Sequence, residues 1–193
     1  VTDYKNSQKI LSQDIGPGNC LIDNWVRKNS NQKFDYDGKL ANNGKKNEII
    51  FEQAQDLYSY RKDKNKKSFD TNDFDVSFVR GLSLEDGTAT LTEFSASIIG
   101  ESLSAMTRKE NKLRSILVCG GGRKNKSLMK LIQNRLSPNI KFKLIDEYGI
   151  NGDFVESQAF AFLAIRTCEN LPITFPNTTK CSKPTIGGEI IEN

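Results

Sequence analysis

The stretch from Asp14 to Asn19, DIGPGN, constrains this chain more than any other. It sets a carboxylate at the lip of a glycine-proline turn, between a short strand-like run and a helical pattern. Lys9 to Gln13 (KILSQ) reads as the strand, and Leu21, Ile22, Trp25 and Val26 recur at three- and four-residue steps. That spacing predicts an amphipathic helix with Asn19 at its N-cap. Gly16 and Gly18 allow positive φ and close backbone approach, while the free N–H groups of a helix start favour an anion. The element suits a phosphate with Asp14 beside it. It equally suits an ordinary strand-turn-helix connection in which the aspartate is only a cap.

A second glycine turn follows the apolar run Ser115 to Cys119, which is typical of a buried strand. Gly120, Gly121 and Gly122 put three residues without side chains at its carboxyl end, where open α/β sheets bind ligands. A tight turn needing positive φ accounts for one of them without a ligand. Arg123, Lys124 and Asn125 come next, within reach of a ribose or phosphate. The motif is neither a P-loop, since the terminal GK[ST] is missing, nor GxGxxG. A helix then starts near Asn125 with Leu128, Leu131, Ile132 and Leu136 on its apolar face, and Pro138 ends it.

Elsewhere, residues 28–47 read as a polar, glycine-punctuated excursion, Glu48 to Tyr60 as a helix, and residues 61–87 as mostly irregular. Leu91, Phe94, Ile98 and Ala105 keep helical spacing to about Met106, with Asp86 or Thr88 as cap. Residues 140–146 alternate as a half-buried strand, and Gly149 and Gly152 lead out of it. The final helix, about Asp153 to Cys168, continues as SQAFAFLAI after Glu156 and is apolar on nearly every face, which predicts burial. Glu156 is then either a buried carboxylate with a purpose or an exposed acid in the first turn, near the positive end of the helix dipole. Asp146 and Glu147 are either turn acids or face the cleft. Strand and helix alternate, so an α/β layer structure is expected.

Composition narrows the chemistry. Four scattered cysteines lacking any CxxC pair, with no histidine, argue against a zinc site, and the absence of histidine removes Ser-His and Cys-His nucleophiles. Carboxylates remain as general bases, and the thiols are expected reduced, with Cys119 packed in its strand. A net charge of +4 without a basic stripe argues against nucleic acid, and the densest basic run, Arg61 to Lys67, reads as a solvated loop. The longest apolar run, Ala159 to Ile165, is too short for a membrane span, and a cytoplasmic location is the expectation. The chain opens on Val1 with few polar residues before its first strand, and so reads as the later part of something longer.

DIGPGN, EDGTATLTEFSA at residues 85–96, VCGGGRKN at 118–125, DEYGINGDFVESQAFAFLA at 146–164 and the closing LP…TIGGEI together resemble the C-terminal lobe of the anhydro-N-acetylmuramic acid kinase family, in order and across the chain. The resemblance implies a ribonuclease-H-like lobe of the actin-like sugar kinase and heat-shock ATPase superfamily, a mixed sheet flanked by helices, with residues 28–87 as an excursion on the substrate side. It implies ATP-dependent phosphorylation of 1,6-anhydro-N-acetylmuramic acid with hydrolytic opening of the ring, giving N-acetylmuramic acid 6-phosphate in cell-wall recycling. Asp14 would be the base that activates water. Gly16, Pro17, Gly18, Asn19 and Glu156 would shape the phosphate and sugar pocket, Gly120, Gly121, Gly122 and Asn125 would meet ATP, and Mg²⁺ would bridge the phosphates.

Three residues depart from the family pattern. Gln13 and Ile15 stand where Phe and Thr are usual, and Arg123 directly follows the glycines. The phosphate-loop lobe, GTSxDGxD, is not in this sequence. The chain is therefore expected to be inactive alone and to need that N-terminal lobe, in cis or in trans, with a second copy of itself kept open as a further partner. Two other readings stand beside this one: a non-catalytic ligand-binding remnant of a split kinase, and a generic nucleotide-binding α/β domain.

Overall fold

The computed structural model describes residues 1–6, 9–61, 73–108 and 113–191. The basic run at 61–67 lies almost wholly outside them. Its frame is a long central helix with two small cores, one on each side. Helix α4 (Leu84–Thr107) is capped by Ser83, whose Oγ accepts from the Asp86 amide at 3.0 Å, so it starts a turn earlier than Asp86 or Thr88 would have set it. On one side, Leu91, Phe94 and Ile98 pack with Leu21, Ile22, Trp25 and Val26 of α1 (Cys20–Asn29) and Phe51 and Ala54 of α3 (Glu48–Arg61). On the other, Ala96 and Leu103 meet Leu128, Ile132 and Leu136 from α5 (Lys126–Gln133) and its exit, together with Ile140.

The buried threonines at the start of α4 are satisfied locally, whereas the buried Ser95 Oγ further along the helix has no hydrogen-bond partner among the described residues. The hydroxyls of Thr88, Thr90 and Thr92 each donate at 2.7 Å to the carbonyl four residues back. Burial of so many threonines therefore leaves no unmet donor on that helix turn. The Trp25 indole donates to the Leu84 carbonyl at 3.1 Å, which ties α1 to the start of α4.

Strands form two separate pairs instead of one mixed sheet. β1 (Thr2–Asn6) and β2 (Lys9–Ser12) make an antiparallel hairpin, while β3 (Arg114–Val118) and β4 (Ile140–Leu144) run parallel, Arg114 opposite Ile140 and Val118 opposite Leu144. The parallel pair needs a crossover, which α5 supplies. Among the described residues nothing bridges the two pairs. The fold is thus mixed α/β, with helices against a small parallel sheet.

Four expectations change. β3 is not a buried strand: its residues alternate between half-buried and exposed, Leu117 faces outward, and Cys119 at its end is exposed and not packed. Residues 28–47 are more ordered than their polarity suggests, with a 3₁₀ turn at Tyr36–Gly38 and a short helix α2 (Lys39–Asn43). Helix α6 (Val155–Cys168) forms where predicted and buries none of its residues. Apolar composition gives burial only where another surface lies across the helix, and no described element does so. Beyond it lie a four-residue helix α7 (Pro176–Thr179) and a bridge between Thr174 and Thr185. No helix among the described residues is long and apolar enough to cross a membrane.

Candidate functional site

Three loops converge on the N-terminus of α5. The first is the turn DIGPGN. A Cβ on Gly16 would come within 2.7 Å of the Ile99 side chain on α4, so that glycine lets the turn press against the central helix. Pro17 is buried, and Gly18 takes a left-handed φ of 57° with open space around it. Asn19 is the residue before α1, but its side chain does not cap that helix. Its Oδ1 instead accepts from Asn125 Nδ2 at 3.3 Å.

Asn125 is the joint of the site. Buried at the start of α5, it caps that helix through Oδ1, which accepts from the Leu128 amide at 3.0 Å, while its amide nitrogen reaches Asn19. The second loop meets the same point: Ser127 Oγ donates to the Gly38 carbonyl at 2.9 Å, and a Cβ on Gly38 would lie 2.6 Å from Asn125 Oδ1. Gly38 also has a positive φ of 74°, so only glycine fits.

The third loop is the triple glycine, which forms a 3₁₀ turn over Gly121–Lys124. Gly120 needs its glycine for conformation, at φ 75°. Gly121 and Gly122 have neither positive φ nor any neighbour within 4 Å of where a Cβ would stand. Packing and backbone geometry therefore explain one of the three, and the other two keep the turn bare toward open space.

Arg123 fastens this turn. Its guanidinium grips Asp146 with Nε and Nη2 at 2.8 and 3.0 Å, and its Nη1 donates to the Gly120 carbonyl at 2.9 Å and to Asp153 at 2.6 Å. Lys124 adds a second bond to Asp153 at 2.6 Å. The Arg123 side chain is only 6% exposed, so the residue that breaks the family pattern is the strut of the turn and not a probe into solvent. The guanidinium hydrogen bonds, helped by the Gly152 amide, hold the Asp146 carboxyl down at about 2. Asp153 is lowered by its bonds to Arg123 and Lys124. Glu147, by contrast, is a turn acid that accepts from the Leu144 amide at 2.9 Å.

Between the loops lies a cavity of about 810 Å³ at the carboxyl ends of β3 and β4. It is lined by Asn19 and Asp23 at the start of α1, by the segment Phe34 to Asp37, by Gly121 and Arg123 to Lys126, and by Leu144 and Asp146 at and just past the end of β4. Lys126 reaches across to Asp37 at 3.6 Å. Burial raises the carboxyls of Asp23 and Asp35, and the Asp35 carboxylate is taken up by the Leu40 and Ala41 amides at 2.8 and 3.1 Å. Asp35 thus pins the second loop in place.

Of the residues singled out from sequence, the cavity joins Asn19, Gly121, Arg123, Lys124, Asn125 and Asp146, with Gly120 and Gly122 flanking in the same turn. Gly16, Pro17 and Gly18 stand behind it as the support of Asn19. Asp14 is exposed at the exit of β2 and is not part of the cavity lining. Glu156 is likewise exposed, in the first turn of α6, and lies outside the lining. Sequence reading missed Asp23 and the Phe34 to Asp37 wall. The Asp37-Gly38 pair, a turn signal inside a polar run, was the available hint.

A crevice beyond the carboxyl ends of parallel strands, floored by a bare glycine turn and a helix start, belongs to the α/β proteins that receive a small ligand at that edge. The comparisons narrow this class. The family model for anhydro-N-acetylmuramic acid kinase matches residues 1–193. A protein of that name from Pelagibacter ubique is 52% identical over 98% of this chain and 51% of its own length. Those from Zymomonas mobilis and Caulobacter vibrioides are 36% and 37% identical, over 94% of this chain in each case and 48% and 47% of theirs. The chain belongs to the anhydro-N-acetylmuramic acid kinase family, and it spans about half the length of the curated relatives it matches.

Proposed function

We propose that this chain is the nucleotide-side half of a sugar kinase that transfers the γ-phosphoryl of ATP to O6 of 1,6-anhydro-N-acetylmuramic acid while water opens the anhydro bridge. The observation that carries the reading is the cavity that brings the bare glycine turn together with Asn19 and Asn125 in a chain of this kinase family. Water adds at C1, the C1–O6 bond breaks, and O6 takes the phosphoryl group. One proton of that water passes to the Asp14 carboxylate, the products being N-acetylmuramic acid 6-phosphate and ADP. Asp14 stands two residues past β2, in the turn that ends at Asn19 of the cavity lining, and that shared turn is what supports giving it this role.

The residues suit ATP in two respects. Gly120 to Gly122 leave room for a nucleoside against the backbone, and Lys124, Lys126 and the α5 amides beyond Asn125 offer positive charge to phosphates. For Mg²⁺ the fit is different: no group of three or more Asp, Glu or Cys among the described residues is arranged to hold a metal, so the ion would arrive on the phosphates. We assign no residue of this chain to it. The actin-like, ribonuclease-H-like lobe, the cytoplasmic setting and the need for an N-terminal phosphate-loop half belong to the same proposal, as does Glu156 on the acceptor side.

The test is reconstitution. The chain is combined with the unmatched half of the Pelagibacter ubique relative, and phosphate transfer from ATP to the anhydro sugar is followed. Asp14→Asn should lower turnover by about 100-fold or more with ATP affinity kept. Absence of sugar phosphate from an assembled pair, or a fully active Asp14→Asn pair, overturns the reading.

A further inference from the structure

Four carboxylates line the cavity, and three of them are engaged. Asp35 accepts from the Leu40 and Ala41 amides, Asp37 faces Lys126, and Asp146 is gripped by Arg123. The fourth, Asp23, is half-buried on the first turn of α1, and among the described residues no donor hydrogen-bonds to its carboxylate. Arg27, one turn on, commits Nη1 to the Lys33 carbonyl at 3.4 Å and acts on Asp23 through charge alone. A carboxylate withdrawn from water with its acceptor sites open is costly unless a ligand brings donors to it. We propose that Asp23 accepts from the 2′- and 3′-hydroxyls of the ATP ribose and so selects ribonucleotides. This rests on the kinase reading above and adds how the nucleotide is chosen.

Three features favour that ligand. First, charge gives the cavity a direction. Lys124, Lys126 and the amides at the start of α5 favour phosphates, whereas Asp23 and the nearby, buried Asp35 repel them. The acidic end is left for the uncharged part of a nucleotide. Second, Asp23 stands one turn along α1 from Asn19, its amide donating to the Asn19 carbonyl at 2.8 Å. Side chains so spaced are about 5–6 Å apart at Cβ. A nucleotide with its phosphates at the Asn125 joint, which Asn19 shares, therefore brings its ribose within reach of Asp23. Third, Phe34 and Tyr36 line the cavity next to Asp35 in the chain, both exposed, with their rings stacked at 6.2 Å between centroids. Aromatic faces of this kind hold a base, and a carboxylate beside them meets the paired hydroxyls of the sugar, as the acid of dinucleotide-binding α/β folds meets a ribose hydroxyl.

ADP, its 2′-deoxy and 3′-deoxy forms, and inosine diphosphate are titrated calorimetrically into the full chain, alone and combined with the unmatched half of the Pelagibacter ubique relative. Each deoxy form should bind the parent about tenfold more weakly than ADP, and Asp23→Ala should weaken ADP by about as much while levelling the three to within about twofold. Asp23→Asn, which keeps one acceptor oxygen and the size of the side chain, should restore part of the preference. Equal binding of the three by the parent, or a preference that Asp23→Ala leaves intact, overturns the proposal. So does a dependence on Asp23 confined to the step from ADP to inosine diphosphate, which would assign the carboxylate to the amine of the base. ADP bound neither by the chain nor by the pair sinks this inference and the kinase reading together. Ribose selection through Asp23 in a pair that transfers no phosphate keeps the inference and sinks the activity; an active pair whose ribose selection ignores Asp23 does the reverse.

Discussion

Helices α4 and α6 are both rich in apolar residues, yet thirteen of the 24 residues of α4 are buried and none of the 14 in α6 is. The difference lies in their neighbours. α4 is flanked by α1 and α3 on one side and α5 on the other, and its threonines turn their hydroxyls back to its own carbonyls so that every face can be covered. α6 has the composition of a core helix and is anchored only at its ends, by Asp153 at the start and by Thr167, which donates to the Gly187 carbonyl at 2.9 Å, near the finish. One helix organises the two cores. The other leaves its apolar side chains uncovered among the described residues.

The sharpest way to break that contrast is truncation on the buried helix. Phe94→Ala, which empties a site shared by Tyr58 and Phe78, should cost about 3–5 kcal/mol in urea denaturation. A loss below about 1 kcal/mol would mean that α4 is not the packed centre. Next in size is Asn125→Ala at the joint of the loops. Losing its cap should cost about 1 kcal/mol, and the amides of the 16–19 turn should exchange faster as the bond to Asn19 disappears. Unchanged exchange there would separate the two loops.

The third effect is local and depends on pH. Asp146 and Asp153 have folded pKa values below their unfolded ones, so their support of the glycine turn is complete above the usual carboxylate range. It is lost as pH falls from about 4 toward about 2. Exchange at Gly120 to Lys124 should rise over that window before α4 melts, and Arg123→Ala should remove the pH dependence. Smallest of all, Phe160→Ala should change the lone chain's stability by no more than about 0.5 kcal/mol. A larger loss would show α6 packed within this half after all.

Much of the fold was legible because it rests on periodicity. Leu21, Ile22, Trp25 and Val26 announced α1, Leu128 and Ile132 announced α5, and the alternation at 140–146 announced β4. Around the site, the glycine turn and Asn125 could be read because a strand, three glycines and a capping residue follow one another in sequence. The Phe34 to Asp37 wall could not, since a polar excursion carries no period and its place depends on Gly38 touching Ser127 across 89 residues. Arg123 looked like an intrusion into the turn, and only the nearness of Asp146 and Asp153 makes it the strut.

By itself, the sequence determined which segments are helix and strand, where the glycines interrupt them, and the family to which the chain belongs, because these depend on local propensity and on residue order. Tertiary structure decided which apolar faces found cover, which carboxylates met a guanidinium, and that three loops distant in the chain share one cavity. Those outcomes depend on contacts between remote segments, and periodicity along the chain does not encode the distance between them.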